Sequence, residues 1–516
     1  MIFSKINNLD LDFNFKEYLF PIFSSTIGLF IILFSQIVFA KFFGTGLEAD
    51  NYSWVIGTIT IIFGLSHNSF KNSITPIFLD KKVSSSNYFG LSLAFYLYYL
   101  SIQTILVFLI YFNLDIILKS LTKFEFSRIP DIKNLFILFM PFVFLKGLIT
   151  INYAILSSLS KFKFQFFIEK ILNPLIFLLS IIFFYEKYGI ISAVIGMNAA
   201  ALILFSGSLF SILNKIKIKN LNFDFKLKFI EFIKFDMIYK STYVVSLFAE
   251  LMSKYILSGL KVGSTAYINY ADKVLKISDV SFNSSISPVL LTDLSKSVAN
   301  KKNNLIKKFE YIFQTLCFII IPLTFYIYFS SEEITKVLFF RGEFDFESVK
   351  FTKTALEFMI FSTISVTLLI LNNKIYASLK DSKTGLYISI PSYLIFGLNY
   401  YFLGSNFGFL GIAMAITINS FISLIISSLL IHQIHFKFNY KKLILIFFKY
   451  VIIACGAGYI VNLLSSLVLN DIYAILNSII YLVLNILSFV VVYISLLFLL
   501  GDSHAKKIFS FIRNVR

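Results

Sequence analysis

Charged residues are scarce in this sequence. They make up 14% of its 516 residues, whereas hydrophobic residues make up 58%, and about a quarter of the residues in an average soluble domain are charged. A chain of this composition has too few polar side chains to cover a folded surface in water. Its hydrophobic content also excludes an intrinsically disordered chain. The composition therefore predicts an integral membrane protein.

Cysteine and histidine are rare as well. The two cysteines, Cys317 and Cys455, lie within apolar runs, which excludes a disulfide scaffold. The four histidines lack the spacing of a metal site, and the sequence contains no P-loop motif for nucleotide binding. No Ser/His/Asp arrangement stands out. We therefore expect a transporter rather than an enzyme, with no cofactor, driven by the membrane potential or by a monovalent ion.

Long apolar runs dominate the rest of the chain. A helix needs about 20 apolar residues to cross the hydrocarbon core, and the alternation of a β-barrel is missing. Fourteen segments qualify, although the second and eighth are the least apolar. They lie near 18–43, 52–79, 88–114, 133–157, 163–185, 189–213, 236–260, 264–292, 308–331, 351–377, 384–404, 407–432, 443–468 and 472–500. The predicted fold is an all-α, polytopic membrane protein.

The net charge of +18 is explained by topology rather than by a nucleic-acid partner. Lysines concentrate in the connections that follow even-numbered segments, such as 215–235 and 296–308. Because cytoplasmic loops carry an excess of Lys and Arg, both termini are predicted to be cytoplasmic. The apolar run that starts at residue 18 is too long for a signal peptide, so the first helix is expected to be retained.

The sequence also contains an internal repeat. Residues 69–79 (SFKNSITPIFL) resemble residues 281–291 (SFNSSISPVLL), and Ser158-Leu159 matches Ser378-Leu379 at an offset of 220. Such parallel repeats are typical of transporters that hold a substrate between two lobes. The predicted organisation is a cytoplasmic segment (1–17), an N-lobe of six helices (18–214), a basic cytoplasmic linker (215–235), a C-lobe of six helices (236–435), helices thirteen and fourteen (436–500) and a cytoplasmic tail (501–516).

Several charges fall inside the predicted membrane segments. A charge at the bilayer centre costs about 2.5–3.5 kcal/mol on insertion scales, and such residues commonly face a cavity. They are Lys71 in the second segment, Glu250 and Lys254 in the seventh, and Asp272, Lys273, Lys276 and Asp279 in the eighth. By contrast, Lys146, Lys170 and Lys374 are expected near helix ends or in structural pairs. The lysine surplus predicts a wet cavity for an anionic substrate.

Three motifs carry a family resemblance. VFAKFFGTGLEADNYSW (38–54), NYADK (269–273) with SISPVLLTDLSK (285–296), and VLFFRGEFDFES (337–348) resemble the MurJ/MviN lipid II flippases, within the wider multidrug/oligosaccharidyl-lipid/polysaccharide exporter superfamily. The resemblance implies alternating access that moves an undecaprenyl-pyrophosphate-linked saccharide to the outer leaflet of the bacterial cytoplasmic membrane. It also implies a head group between the lobes and a lipid tail against helices thirteen and fourteen.

The resemblance implies substrate-site roles for Lys273, Asp272 and Asp50. The sequence departs from the family where cavity arginines are usual: helix one has no basic residue before Lys41, and helix two has Ile62 and Phe63. Lysine replaces arginine at 273, which loses the planar fork that grips phosphate. The full set of candidate substrate-binding residues is Lys273, Asp272, Lys254, Glu250, Lys276, Lys71, Asp50 and Asp279.

Alternative functions stay open at this point. The same fold could move another lipid-linked oligosaccharide, of the O-antigen or capsule type, or could export drugs in exchange for cations. A membrane-embedded glycosyltransferase or polymerase is a further alternative. The expected partners are the lipid-linked saccharide, membrane lipids and proteins of cell-envelope synthesis.

Overall fold

The structure, a computed structural model, describes residues 15–79, 87–158, 167–213, 226–276, 302–379, 381, 383–468, 475–502 and 505–506. Helices fill these ranges and no strand occurs in them, so the all-α prediction is confirmed. Helices suit an apolar chain in lipid because each one satisfies its own backbone hydrogen bonds. Most of the predicted terminal segments, 1–17 and 501–516, lies outside the described residues.

Eighteen helices are labelled in chain order. They are α1 (Phe15–Phe43), α2 (Leu47–His67), α3 (Phe70–Leu79), α4 (Asn87–Phe112), α5 (Leu114–Leu121), α6 (Ile129–Leu138), α7 (Met140–Ser158), α8 (Asn173–Tyr188, preceded by a π-helical turn at Phe167–Leu172), α9 (Ile191–Leu213), α10 (Lys226–Ser258), α11 (264–276), α12 (Lys302–Phe329), α13 (Ser331–Phe339), α14 (Phe346–Met359), α15 (Ser362–Ser378), α16 (Lys383–Leu430), α17 (Tyr440–Val468) and α18 (Ile475–Leu499).

These helices occupy all fourteen predicted positions, the eighth as far as residue 276. Within the described ranges, nine helical stretches are long and apolar enough to cross a membrane. One of them, Tyr387–His435, covers two predicted spans, because α16 bends at Gly408 (φ 62°, ψ −139°). The first, second, seventh and eighth positions are outside the nine. Ile27–Phe43 in the first position is apolar but shorter, while α2, α10 and α11 carry polar and charged side chains.

Several boundaries differ from the predictions. The second predicted span is two helices, α2 and α3, which are separated at Asn68-Ser69. The fourth and tenth spans are each divided as well, at Phe139 and at 360–361. Helix α10 begins at Lys226, so residues 226–235 of the predicted linker are helical. Hydropathy alone does not detect the breaks at Phe139 and at 360–361, because the apolar run continues through them.

The internal repeat is visible in matched structural details. Asn152 donates a hydrogen bond to Ser208 (2.7 Å), and Asn372, 220 residues later, donates one to Ser428 (3.0 Å). Left-handed glycines also recur 219 residues apart, with Gly44 paired to Gly263 and Gly189 paired to Gly408. These matched details agree with the predicted duplication of one six-helix unit. The repeat of 69–79 at 281–291 stays a prediction, because 277–301 lie outside the described residues.

Helix α10 belongs to both lobes. Its second half runs along α16, while Phe232 in its first half packs into an N-lobe cluster with Phe70, Phe95 and Ile151. Next to that cluster, the fully buried carboxylate of Asp236 pairs with Lys240 (2.7 Å) and accepts hydrogen bonds from Ser69 (2.5 Å) and Tyr98 (3.0 Å). Asp236 therefore fastens the start of α10 to α3 and α4.

The bend at Gly408 provides a test of this fold. A side chain in the left-handed region costs about 1–2 kcal/mol, so we expect Gly408→Ala to lower the melting temperature of the detergent-purified protein. Gly385→Ala in the same helix is the control, because a Cβ there would meet no atom within 4 Å and its φ is not positive. Equal melting temperatures for the two variants would contradict the bend.

Candidate functional site

The three sequence motifs meet where the N-lobe contacts the C-lobe. This contact, here called the closed end, joins residues 41–54, which include the turn between α1 and α2, to residues 258–270 and 341–348. The Glu343 N–H donates to the Lys41 carbonyl (3.0 Å), and the Tyr270 hydroxyl donates to the Gly44 carbonyl (2.8 Å). The motifs that carry the family resemblance thus build the contact between the lobes.

Two glycines permit this approach of one backbone to the other. Gly44 and Gly342 both have positive φ, at 52° and 58°. A Cβ at Gly342 would collide with the Lys41 carbonyl, and a Cβ at Gly44 would collide with the Glu343 carbonyl. Glycine is therefore required on both sides of the contact, for conformation and for space.

Asp50 is the electrostatic centre of the closed end. Its side chain is buried, and Oδ2 receives a hydrogen bond from the Arg128 guanidinium at 2.9 Å. Oδ1 accepts from the backbone N–H groups of Thr265 (2.9 Å) and Ala266 (3.2 Å), in the first turn of α11. A carboxylate is stabilised there by the helix dipole. In this conformation Asp50 joins the lobes, and its role in the substrate site stays a prediction.

A chain of hydroxyl groups supports the same contact. The Ser348 hydroxyl and N–H both donate to Asp345 (2.6 and 2.7 Å) and hold the pKa of that carboxyl below its usual range. The Thr45 and Ser348 hydroxyl oxygens lie 2.6 Å apart. Because the Ser348 proton is directed to Asp345, Thr45 is the donor in this bond across the lobes.

The predicted lysine cluster lies next to the closed end, on α10 and α11. Val244 and Phe248 are the exposed apolar residues of this part of α10, and at about 100° per residue Glu250 and Lys254 fall on the other side of the helix. Both are half-buried. The Trp54 indole N–H donates to the Lys254 carbonyl (3.0 Å). This face of α10 therefore meets α2 of the N-lobe.

Helix α11 adds the remaining charges of the cluster. Asp272 and Lys276 form the ion pair expected from their spacing, at 2.5 Å. Lys273, which is half-buried, lies within electrostatic range of both. Lys254 is influenced by Asp272, Glu250 and Asp50 and is repelled by Lys276. No ion pair joins Glu250 to Lys254 in the described part of the chain, although they stand at i,i+4.

The structure adds one lysine that the sequence did not assign to the site. Lys146 is half-buried within α7 of the N-lobe and lies within electrostatic range of Lys276. Four lysines, at 146, 254, 273 and 276, therefore share a region between the lobes with the carboxylates of Glu250 and Asp272. Lys170 does form the structural pair expected of it, with Glu169 at 2.9 Å.

Two candidate residues cannot be placed in the cluster. Asp279 lies outside the described residues, and of Lys71 the structure describes the backbone, within α3, but not the side chain. Both stay predictions. Within the described residues, no group of three or more His, Cys, Asp or Glu side chains could hold a metal ion.

The buried pair at the closed end can be tested by its stability. Asp50→Ala would leave Arg128 buried without its partner, which costs about 3–5 kcal/mol. The exposed pair of Lys133 and Asp115, at 2.8 Å, is the control, and Asp115→Ala should cost about 1 kcal/mol or less. Thermal unfolding in detergent measures both variants. Equal losses of stability would show that Asp50 does not fasten the lobes.

Comparison with known proteins identifies a family and several relatives that this chain matches. The family described as "Lipid II flippase MurJ" matches residues 39–484. A probable lipid II flippase MurJ of Borreliella burgdorferi is 22% identical over 436 residues, which cover 80% of this chain and 83% of that protein. A probable lipid II flippase MurJ of Aquifex aeolicus is 28% identical over 356 residues, which cover 67% of each chain.

Solved structures share the fold. The structure of "Lipid II flippase MurJ, inward closed conformation" superposes with a TM-score of 0.76 at 22% identity, covering 94% of this chain and all of that one. An inward-facing multidrug resistance transporter of the MATE family, in the MOP superfamily, gives 0.62 at 11% identity, covering 79% of this chain and 96% of that one. The match over residues 39–484 shows that this chain belongs to the lipid II flippase MurJ family.

Proposed function

We propose that this protein is a flippase that carries a lipid II-type precursor, an undecaprenyl-pyrophosphate-linked saccharide, across the bacterial cytoplasmic membrane. The observation that carries this proposal is the family match over residues 39–484. The lysine cluster supports it, because a hydrated pyrophosphate cannot cross hydrocarbon and needs cations along a wet path. The family is one of transporters, so no enzymatic reaction is assigned.

Lys273, Lys254 and Lys276 would bind the pyrophosphate as point charges. They project from the C-lobe beside the contact with α2, and Lys146 approaches them from the N-lobe. Asp272, paired with Lys276, would limit the cost of gathering these lysines when the site is empty. The lipid tail would stay in the bilayer against α17 and α18, whose outer faces are apolar and exposed.

Transport would proceed by alternating access. With both termini in the cytoplasm, as the lysine-rich connections predict, the closed end faces outward. The lobes would separate there to release the head group and meet again once it has left. The membrane potential or a monovalent ion would bias the return, since a ligand or field shifts a conformational equilibrium only by its differential effect on the two states.

Another polyprenyl-linked glycan is the second candidate substrate. The observation that favours it is the replacement of the usual cavity arginines, by Ile62 and Phe63 in α2 and by Lys273 in α11. Neighbouring murein genes would favour lipid II, and a neighbouring cluster of glycosyltransferase genes would favour an O-antigen or capsule precursor. Partnership with cell-envelope synthesis proteins follows from either substrate.

The binding role of Lys273 is tested by depletion and complementation. We expect Lys273→Ala to lose complementation while its protein level in the membrane stays normal, because a cation that faces the pyrophosphate is removed. Lys133→Ala, which removes an exposed lysine of α6 that pairs with Asp115, should complement fully. Full complementation by Lys273→Ala would end its assignment to the site.

Opening of the closed end is tested by cross-linking. Cysteines in place of Thr45 and Ser348, in a background with Cys317→Ser and Cys455→Ser, should form a disulfide, because the two native hydroxyl oxygens are 2.6 Å apart. We expect the oxidised protein to lose at least about nine-tenths of its flipping rate and a reductant to restore it. Transport at the full rate by the oxidised protein would exclude separation of the lobes at this end.

A further inference from the structure

The charged tip of Lys254 lies against the backbone of a glycine in the other lobe. Gly57 is at the middle of α2, and a Cβ built there would lie 2.6 Å from Nζ and 2.8 Å from Cε of Lys254. The next atom of the lysine chain, Cδ, would be 3.9 Å away. The side chain of Lys254 therefore crosses from the C-lobe and places its ammonium, rather than its aliphatic stem, in the space left by Gly57.

The position of this ammonium is fixed at both ends of its side chain. The carbonyl of Lys254 accepts the Trp54 indole N–H at 3.0 Å, and Trp54 is fully buried, so the backbone of Lys254 is held against α2. Gly57 lies three residues after Trp54, on the same side of α2. With the backbone fixed, the free space at Gly57 determines how far the ammonium can reach into the N-lobe.

The same ammonium has no acceptor in the described part of the chain. No carboxylate or carbonyl there lies within ion-pair or hydrogen-bond distance of Lys254 Nζ, and its attractive neighbours Asp272, Glu250 and Asp50 act at longer range. The three N–H donors of this half-buried lysine are therefore available to water or to an anion on the side away from α2. A phosphate oxygen is the natural acceptor in this membrane setting.

We propose that Gly57 is a positioning residue for the transported pyrophosphate, because it holds Lys254 where an anion between the lobes can reach it. This inference rests on the proposed flippase function and assigns a role to a residue that makes no contact with the substrate itself. An added side chain at position 57 displaces the ammonium and weakens substrate binding. We expect the maximal rate to change little, since none of the hydrogen bonds that join the lobes at the closed end involves Gly57.

The test is a flipping assay in proteoliposomes that contain fluorescently labelled lipid II at several surface densities. For Gly57→Ala we expect the half-saturating density to rise about tenfold, the scale of one lost charge-assisted contact, with little change in the maximal rate. Gly385→Ala is the control for a helical glycine with open space around it, and it should match the wild type. A wild-type half-saturating density for Gly57→Ala overturns the proposal.

A double variant separates positioning from packing. If Gly57 acts through Lys254, then Gly57→Ala should add nothing to the defect of Lys254→Ala, which removes both colliding atoms. Gly64→Ala is the packing control, because a Cβ there would collide with the Tyr243 hydroxyl of α10 and not with a lysine. The defect of Gly64→Ala should multiply with that of Lys254→Ala. Independent effects of Gly57→Ala and Lys254→Ala would overturn the role of Gly57.

Folding is checked by thermal unfolding of the same variants. If Gly57→Ala is too unstable to assay, removal of the colliding Nζ and Cε atoms in the double variant with Lys254→Ala should restore its melting temperature. Failure of that rescue would show that the added methyl group collides with α2 packing rather than with Lys254, and it would overturn the proposal. An inactive wild type would refute the flippase function and the Gly57 role together, whereas an active wild type with a normal Gly57→Ala refutes the Gly57 role alone.

Discussion

The carboxylate of Asp50 is the constraint on which the relation between the lobes depends. A buried charge has to be matched by partners, and Asp50 takes its partners from two other parts of the chain: Arg128 before α6, and the N–H groups of Thr265 and Ala266 at the start of α11. The start of α2, the start of α6 and the start of α11 must therefore meet. The glycine contacts at 44 and 342 join the lobes at the same end of the molecule.

Two buried acids and two half-buried lysines of this membrane protein differ in the number of their hydrogen-bond partners. Asp50 and Asp236 each have several hydrogen-bond partners and are almost completely enclosed. Lys254 and Lys273 are half-buried and have no close acidic partner among the described residues. Asp50 and Asp236 hold helices together, while Lys254 and Lys273 retain free donors. This division agrees with a transporter that carries an anion, because the protein leaves unsatisfied the charges that the substrate will satisfy.

Composition and charge predicted much of the fold. Helices stand at all fourteen predicted positions, and the matched bonds of Asn152 and Asn372 agree with the predicted two-lobe repeat. The breaks within spans were not predicted, because they arise where helices pack rather than where hydropathy falls. The start of α10 was also missed, because its lysines are typical of a cytoplasmic loop. Its apolar residues, such as Phe232, pack into the N-lobe.

The candidate site was predicted less completely, for a geometric reason. The residues that make Asp50 a link between lobes are more than 70 positions away in the sequence, and their backbone N–H groups leave no signature in it. Gly57 was not singled out, and Lys146 was expected near a helix end or in a structural pair, for a similar reason. The role of a glycine within an apolar run, or of a single lysine, depends on the residues that face it across the lobe interface. The charged residues on α10 and α11 were identified because they lie within a few positions of one another in the sequence.

Helix α10 has a mechanical consequence for this molecule. Its 33 residues contain neither glycine nor proline, so it forms a stiff rod about 50 Å long at 1.5 Å per residue. One end is embedded among N-lobe aromatic rings, and the rest runs along α16. Such a rod cannot absorb a rotation between two bodies by bending at a hinge of its own. It acts as a lever, and a small tilt at its embedded end is magnified into a larger swing near Lys254.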